Sequence, residues 1–429
     1  MVKMKRILFL VLVFTIASSA YAQVDLRVSN PKAGFPIAVP KGCDLGGGNP
    51  YDEKLAALLR RDLDLSGFFS VLEPSSYVET PGKCNLPNGV QFSDWSVIGT
   101  DWVIKSSVSS DMGTVKAEFY LFDVQLQKPV LGKRYSSDVR FINKLAHRFA
   151  NEVIRYFTNT PGIFGGSIVF VSKSGRFKEL FEMDLDGDNL RQLTRERGLA
   201  VSPSYSLDGQ SVIYTSYRTR KPELFLLSLA TGAAKQVTNR EGLEVGAKFL
   251  KDGSGYISSA SFDGISNIVT FNTLGQVTRK ITNGGFLDVS PSVSPDGGKF
   301  AFVSSRGAGP QVFTMPIGGG EPSRISFTGS NYCTSPNWSP KGDKIAFTCL
   351  TGGNQLFVAN PDGSNALQLT FGGNNEDPAF SVDGRYILFS SSLGGKGRGI
   401  MLLPLHTGQP RQITSGPGED SQPIWGPLE

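Results

Sequence analysis

From residue 167 onward the chain is written in short apolar bursts separated by polar turns. Residues 202–238 show the unit. SPSYS is followed by the turn LDGQ, then SVIYTSY, the loop RTRKP, ELFLLSL, the turn ATGAA and KQVT. The bursts are rich in β-branched and aromatic residues, and Asp-Gly sits where a hairpin needs positive φ. Nothing in the unit has the 3.6-residue period of a helix. The pattern predicts a four-stranded antiparallel meander.

The meander repeats. RQLT, KQVT, RKIT, SRIS, LQLT and RQIT begin at 191, 235, 279, 323, 367 and 411, each 44 residues after the last. Four strands in about 44 residues is the unit of a propeller blade. Inner strands carry Pro203, Ala247, Pro291, Pro336, Pro378 and Pro423. The first unit lacks an inner strand, and the last is nothing else. The ring therefore closes by pairing Gln422–Trp425 with the strand at 168–172, which removes the exposed edges. Residues 163–429 are expected to form a six-bladed β-propeller. Two residues after each proline position stand Tyr205, Phe249, Val293, Trp338, Phe380 and Trp425, which should pack between blades. Asp184-Leu185-Asp186-Gly187-Asp188 looks like the start of a calcium loop. It lacks the Glu at the twelfth position and reads as a turn.

Residues 35–160 have a different texture, and the fold class is an all-β propeller preceded by a small α/β domain. FPIAVP, FFSVLEP, WVIKSSVSS, TVKAEFYLFD and KPVLGKRYSSD read as strands. A helix begins at Asn49-Pro50 and buries Leu55, Leu58, Leu59 and Leu63. A second helix, capped by Asp138, runs through Tyr156 with the core stripe Phe141, Leu145, Phe149 and Val153. His147 lies off that stripe and reads as solvated. LGGGNP (45–50) lacks the GK[ST] ending of a phosphate loop and reads as a flexible helix entry.

The start of the chain reads as a signal peptide over 1–22. Lys3, Lys5 and Arg6 precede the ten-residue, largely apolar run Ile7–Ile16, and Ala20-Tyr21-Ala22 is a cleavage signature. The run is about half a bilayer span, although an uncleaved anchor is the other reading. An exported chain makes the four cysteines disulfide candidates. Cys333 and Cys349 are symmetric about Lys341, so a hairpin sets them opposite each other; Cys43 and Cys84 would then pair in the first domain. Four buried thiols is the alternative. Residues 23–34 form a separate stretch. Val24, Leu26 and Val28 alternate with polar residues, as in a lone strand kept for a partner or as an ordinary first strand.

Charge and motifs narrow the function. A net charge of +5 without a basic run argues against nucleic acid. There is no G-x-S-x-G elbow, and only His147 and His406 are available as bases, so no enzyme and no cofactor are expected. The loops entering the inner strands carry Glu241, Glu244, Asp288, Glu376, Asp377, Glu419 and Asp420 against Arg195, Arg197 and Arg240. This predicts an acidic mouth, with a merely solvated rim as the alternative. A protein-binding hub is the first reading, and a propeller binding a small molecule or glycan is the second.

The combination resembles the TolB family, periplasmic propeller proteins of the Tol–Pal system of Gram-negative bacteria. The resemblance rests on the signal peptide, the alternating start, the IAV strand, the segment Asp94-Trp95-Ser96-Val97-Ile98-Gly99-Thr100-Asp101, and the blade words SPDG, IAF and RQLT. The cysteines depart from many of its members. The resemblance implies a periplasmic location and binding of the lipoprotein Pal at the propeller mouth. The mouth residues are taken as Glu244, Gly246, Asp288, Ser290, Ser335, Glu376, Asp377 and Asp420. It also implies contact of the N-terminal segment with TolA, a role in outer-membrane integrity and constriction during division, and capture by colicins. Other outer-membrane lipoproteins are further candidate partners.

Overall fold

The structure, a computed structural model, describes residues 34–44, 50–78, 85–262, 264–394, 397–414 and 418–427. The signal peptide, Val24, Leu26, Val28, Asn49 and Cys84 lie outside the described residues. The first domain contains β1 (Phe35–Ala38), β2 (Cys43–Asp44), α1 (Tyr51–Ser66), β3 (Phe69–Val71), α2 (Phe92–Val97), β4 (Trp102–Asp111), β5 (Thr114–Asp123), β6 (Lys128–Asp138) and α3 (Asn143–Thr158). Its sheet runs β3-β1-β4-β5-β6, with β2 also on β4. The β1 strand is parallel to β3 and β4, whereas β4, β5 and β6 form an antiparallel meander.

The helices follow the apolar pattern with two corrections. Leu55, Leu58, Leu59 and Leu63 of α1 are buried, and the helix ends at Gly67 in the left-handed region. Leu145, Phe149 and Val153 of α3 are buried, but Phe141 is 51% exposed. Asp138 accepts a hydrogen bond from Arg140 N and caps a single 3-10 turn, so Phe141 precedes α3 and leaves its stripe. His147 is not solvated. It is 4% exposed, on the α3 flank that faces the second domain rather than water.

Six four-stranded sheets follow. Five are consecutive meanders, and the remaining one is completed by Glu419–Trp425, which pairs with Ser167–Ser174. The strand at 167–174 opens blade one, and the hairpin at 333–350 lies in blade five. Apolar clusters fill the space between successive blades. Trp338 and Phe380 belong to two of these, and Tyr205 and Phe249 pack against two others. Between blades six and one the cluster does not stop at the ring. It joins Ile168, Phe170, Leu388 and Leu402 to Leu55, Leu59, Phe149 and Val153, so one core crosses the domain seam.

Cys333 and Cys349 are registered opposite each other and joined by a disulfide. Cys43 is disulfide-bonded as well. The Asp184–Asp188 stretch closes as a turn, with Asp184 N donating to Asp188 O at 2.9 Å.

Candidate functional site

The inner strands Ala200–Tyr205, Glu244–Phe249, Asp288–Val293, Cys333–Trp338, Asn375–Phe380 and Glu419–Trp425 line the propeller axis. Each has one register shift against its neighbour. At each shift one residue takes positive φ: Ser202, Gly246, Ser290, Ser335, Asp377 and Gln422. Five of these are not glycine, and such backbone persists only where surroundings hold it. The hold comes from the preceding blade. Ser202 N donates to Gln422 Oε1 (2.7 Å), Gly246 N to Thr215 Oγ1 (3.1 Å), Ser290 N to Ser259 Oγ (3.0 Å) and Gln422 N to Asp377 Oδ2 (3.2 Å). The bulges thus form a ring of positive-φ backbone around an axial cavity of about 140 Å³.

Four of the expected mouth residues, Gly246, Ser290, Ser335 and Asp377, are brought together in this ring. The others are placed differently. Glu244 is fully buried and pairs with Arg240 at 2.9 Å. Asp288 is fully buried and accepts from Arg306 Nη2 at 3.1 Å on both oxygens. Glu376 is half-buried and pairs with Arg398. Asp420 is buried; burial raises its pKa, against hydrogen bonds with Ser172 and Thr414. Of the acids expected at the mouth, these four are thus drawn into the fold, while Glu241 and Glu419 stay exposed. The four head the inner strands, where a charge taken out of water needs a partner, and they find one within the fold. Burial likewise raises the pKa of Asp377, and Glu376 adds to it.

That end of the ring exposes apolar side chains among polar ones such as Arg195, Arg197, Glu241 and Glu419. Phe286, Leu287, Tyr332, Leu350 and Leu393 are all at least two-fifths exposed, in the loops before inner strands or at and after the ends of second strands. Their signal was present in the sequence: apolar residues inside loops that hairpin chemistry alone would leave polar.

A second cavity of about 270 Å³ opens at the other end of the axis, lined by Tyr205, Phe249, Trp338, Phe380 and Trp425. Lys248, Asn337, Ala379 and Ile424 line both cavities and mark the waist. Burial pushes the Lys248 ammonium down to about 8, against the attraction of Asp377.

The α/β domain sits at this far end. Arg61 reaches Asp188 (3.6 Å), Arg411 pairs with Asp64 (3.1 Å), Arg385 donates to Thr158 Oγ1 (3.1 Å) and the Tyr386 hydroxyl to Ser66 O (3.2 Å). Phe68 stacks on His406 with centroids 3.9 Å apart. All these propeller residues belong to the turns that join first to second or third to fourth strands, or border them. Such turns lie at the opposite end from the inner-strand entries. The apolar mouth is left free of these contacts.

Residues 25–130 match the TolB amino-terminal domain, and residues 154–429 match the TolB beta propeller domain. A protein TolB homolog of Chlorobium luteolum is 32% identical over 324 residues, 75% of this chain and 73% of the relative. A Tol-Pal system protein TolB of Desulfosudis oleivorans is 33% identical over 212 residues. That alignment spans about half of either protein, 48% of each. The crystal structure of TolB from Acinetobacter baumannii has a TM-score of 0.81 at 24% identity. It covers 93% of this chain and 98% of that one, a likeness of fold.

Proposed function

The chain belongs to the TolB family, and from that premise we propose that it is a periplasmic, non-enzymatic binding component of the Tol–Pal system. In this reading Pal docks on the propeller mouth, and TolA engages residues 23–34. The two together support outer-membrane integrity and constriction during division. Colicins and other lipoproteins compete for the mouth.

The observation that carries the reading is the asymmetry of the ring. One end is occupied by the α/β domain. The other presents exposed apolar side chains around a cavity rimmed by fixed backbone. Exposed apolar clusters with a polar surround suit protein partners. Among the described residues both histidines lie at the seam, which favours binding over hydrolysis.

Photo-crosslinking in cells tests this reading. Probes at Leu287, Tyr332 and Leu350 are expected to capture Pal, and probes at Leu207 and Val382 at the far end are not. Capture of Pal from the far end alone would overturn it. Removal of residues 23–34 is expected to abolish TolA binding and leave Pal capture intact.

A further inference from the structure

Chemistry that the mouth does not use is concentrated at the seam. Asp62 on α1, His147 on α3 and Asp186 in the blade-one turn meet with potential ligand atoms within 4.8 Å of one another. None is more than 4% exposed. His147 Nδ1 lies 2.7 Å from Asp62 Oδ2, and Nε2 lies 3.6 Å from Asp186 Oδ2. Among the described residues Asp62 Oδ1, His147 Nε2 and Asp186 Oδ2 have no hydrogen-bond partner. Buried polar atoms without partners are costly and call for an explanation.

A metal ion and a proton are the two candidates to satisfy the cluster. The 2.7 Å contact is a hydrogen bond, so Nδ1 and its Asp62 acceptor are already committed. Asp186 Oδ1 accepts from Asp188 N at 3.1 Å. Asp62 Oδ1, His147 Nε2 and Asp186 Oδ2 then remain as ligand atoms, one fewer than the four side chains of a closed tetrahedral site. A proton needs no more than is present. An imidazolium has two donors, and here each edge of the ring faces a carboxylate.

We propose that Asp62, His147 and Asp186 form a proton-held latch between the α/β domain and the first blade. With both ring nitrogens protonated, His147 is anchored to Asp62 within its own domain and presents Nε2–H across the seam to Asp186. When that proton leaves, the Nε2 lone pair faces a buried carboxylate, and the seam loosens.

The other charges facing the ring are few. Arg61 of α1 points to Asp188, and Asn143 of α3 donates to Asp188. Asp184 is bonded to Asn189. Gly165 lies against His147, and the Ile413 carbonyl lies against Gly187; neither brings a charge. Burial opposes the imidazolium, but the Asp62 hydrogen bond and the charges of Asp62, Asp186 and Asp184 outweigh it and raise the His147 pKa. Burial, only partly offset by His147, pushes Asp62 up to about 6. Both shifts have one sign: the folded cluster holds protons more tightly than the unfolded chain. Its contribution is therefore full in acid and falls as pH rises, first through Asp62 and then through His147 above its ordinary value of about 6.5.

Imidazole nitrogen NMR on the full chain tests this directly. There are two histidines, and a His406→Phe variant assigns the spectrum. His147 is expected to be protonated at both nitrogens at pH 6, with a midpoint above 6.5. A neutral ring at pH 6 would overturn the latch. Hydrogen exchange of α3 and residues 184–188, corrected for intrinsic rates, gives a second readout between pH 7 and 9. The opening constant is expected to rise by up to about tenfold per pH unit, the limit for one linked proton, and to lose that rise in Asp186→Asn. An identical slope in the variant overturns the proposal. So does stoichiometric Zn²⁺ binding that Asp186→Asn abolishes, which would make the site a metal site.

Discussion

Asp288 and Arg306 show how a residue type can be read correctly in position and wrongly in role. The carboxylate stands at the mouth, but it is fully buried and bonded through both oxygens to one guanidinium. Removing one partner from such a pair leaves an uncompensated buried charge. Arg306→Ala is expected to lower stability by about 3–5 kcal/mol, measured by denaturant unfolding. Replacement of both partners by apolar residues of similar volume should cost much less. His406 gives a pH-dependent case of opposite sign to His147. Burial of its ring against Phe68 lowers its pKa, and the charges of Arg385 and Arg411 add to this. A depressed histidine contributes stability above its unfolded value of about 6.5 that is lost as pH falls toward the folded one. The residue retains solvent access, so the effect is screened to the order of 1 kcal/mol. His406→Phe keeps the stack without the titration. The wild type should lose melting temperature relative to this variant as pH falls from 7 to 5.

At the scale of elements, periodicity carried most of the information. The three longer strands of each blade are largely apolar, and the first-to-second-strand turns of blades two to six carry Asp-Gly or Lys-Gly at 208–209, 252–253, 296–297, 341–342 and 383–384, so strand order and ring closure could be read without side-chain geometry. The Cys333–Cys349 bridge was legible from the symmetry of the two cysteines about Lys341, although a register shift between Thr334 and Asn337 intervenes that the turn does not report. Its closed loop spans a sequence separation of 16. Loss of the bridge in a double Cys→Ala variant should lower stability by about 2–4 kcal/mol while Pal capture is unchanged. The inner-strand bulges were not legible. A pre-proline residue is ordinarily extended, and five of the six positions precede proline. At Ser202, Ser290 and Gln422 the bulged N–H is held by the neighbouring blade, which no local pattern reports. Phe141 and His147 were misread because the helix starts a turn later than its cap and packs against a second domain that a single amphipathic stripe does not anticipate.

For the molecule as a whole, the pairing of its mouth charges decides how a partner is recognised. Glu244, Asp288 and Glu376 each hold an arginine, so these three add little net field to the mouth. Electrostatic steering needs an unbalanced potential, and salt screens it over about 10 Å at 0.1 M. Apolar contact has no such dependence. Leu287, Tyr332 and Leu350, on blades four and five, are among the exposed apolar groups at that end. Aromatic and aliphatic anchors at the centre of an interface commonly cost more than 1 kcal/mol when truncated. Raising salt from 50 to 500 mM is therefore expected to change Pal affinity by less than about threefold. Tyr332→Ala and Leu287→Ala should each weaken it by about tenfold, and neither lies in the core that holds the fold together. Titration calorimetry at two ionic strengths separates the cases. A steep salt dependence with intact binding by both variants would return the mouth to its charges. A shallow one, with affinity lost in the variants, places recognition on the apolar loops.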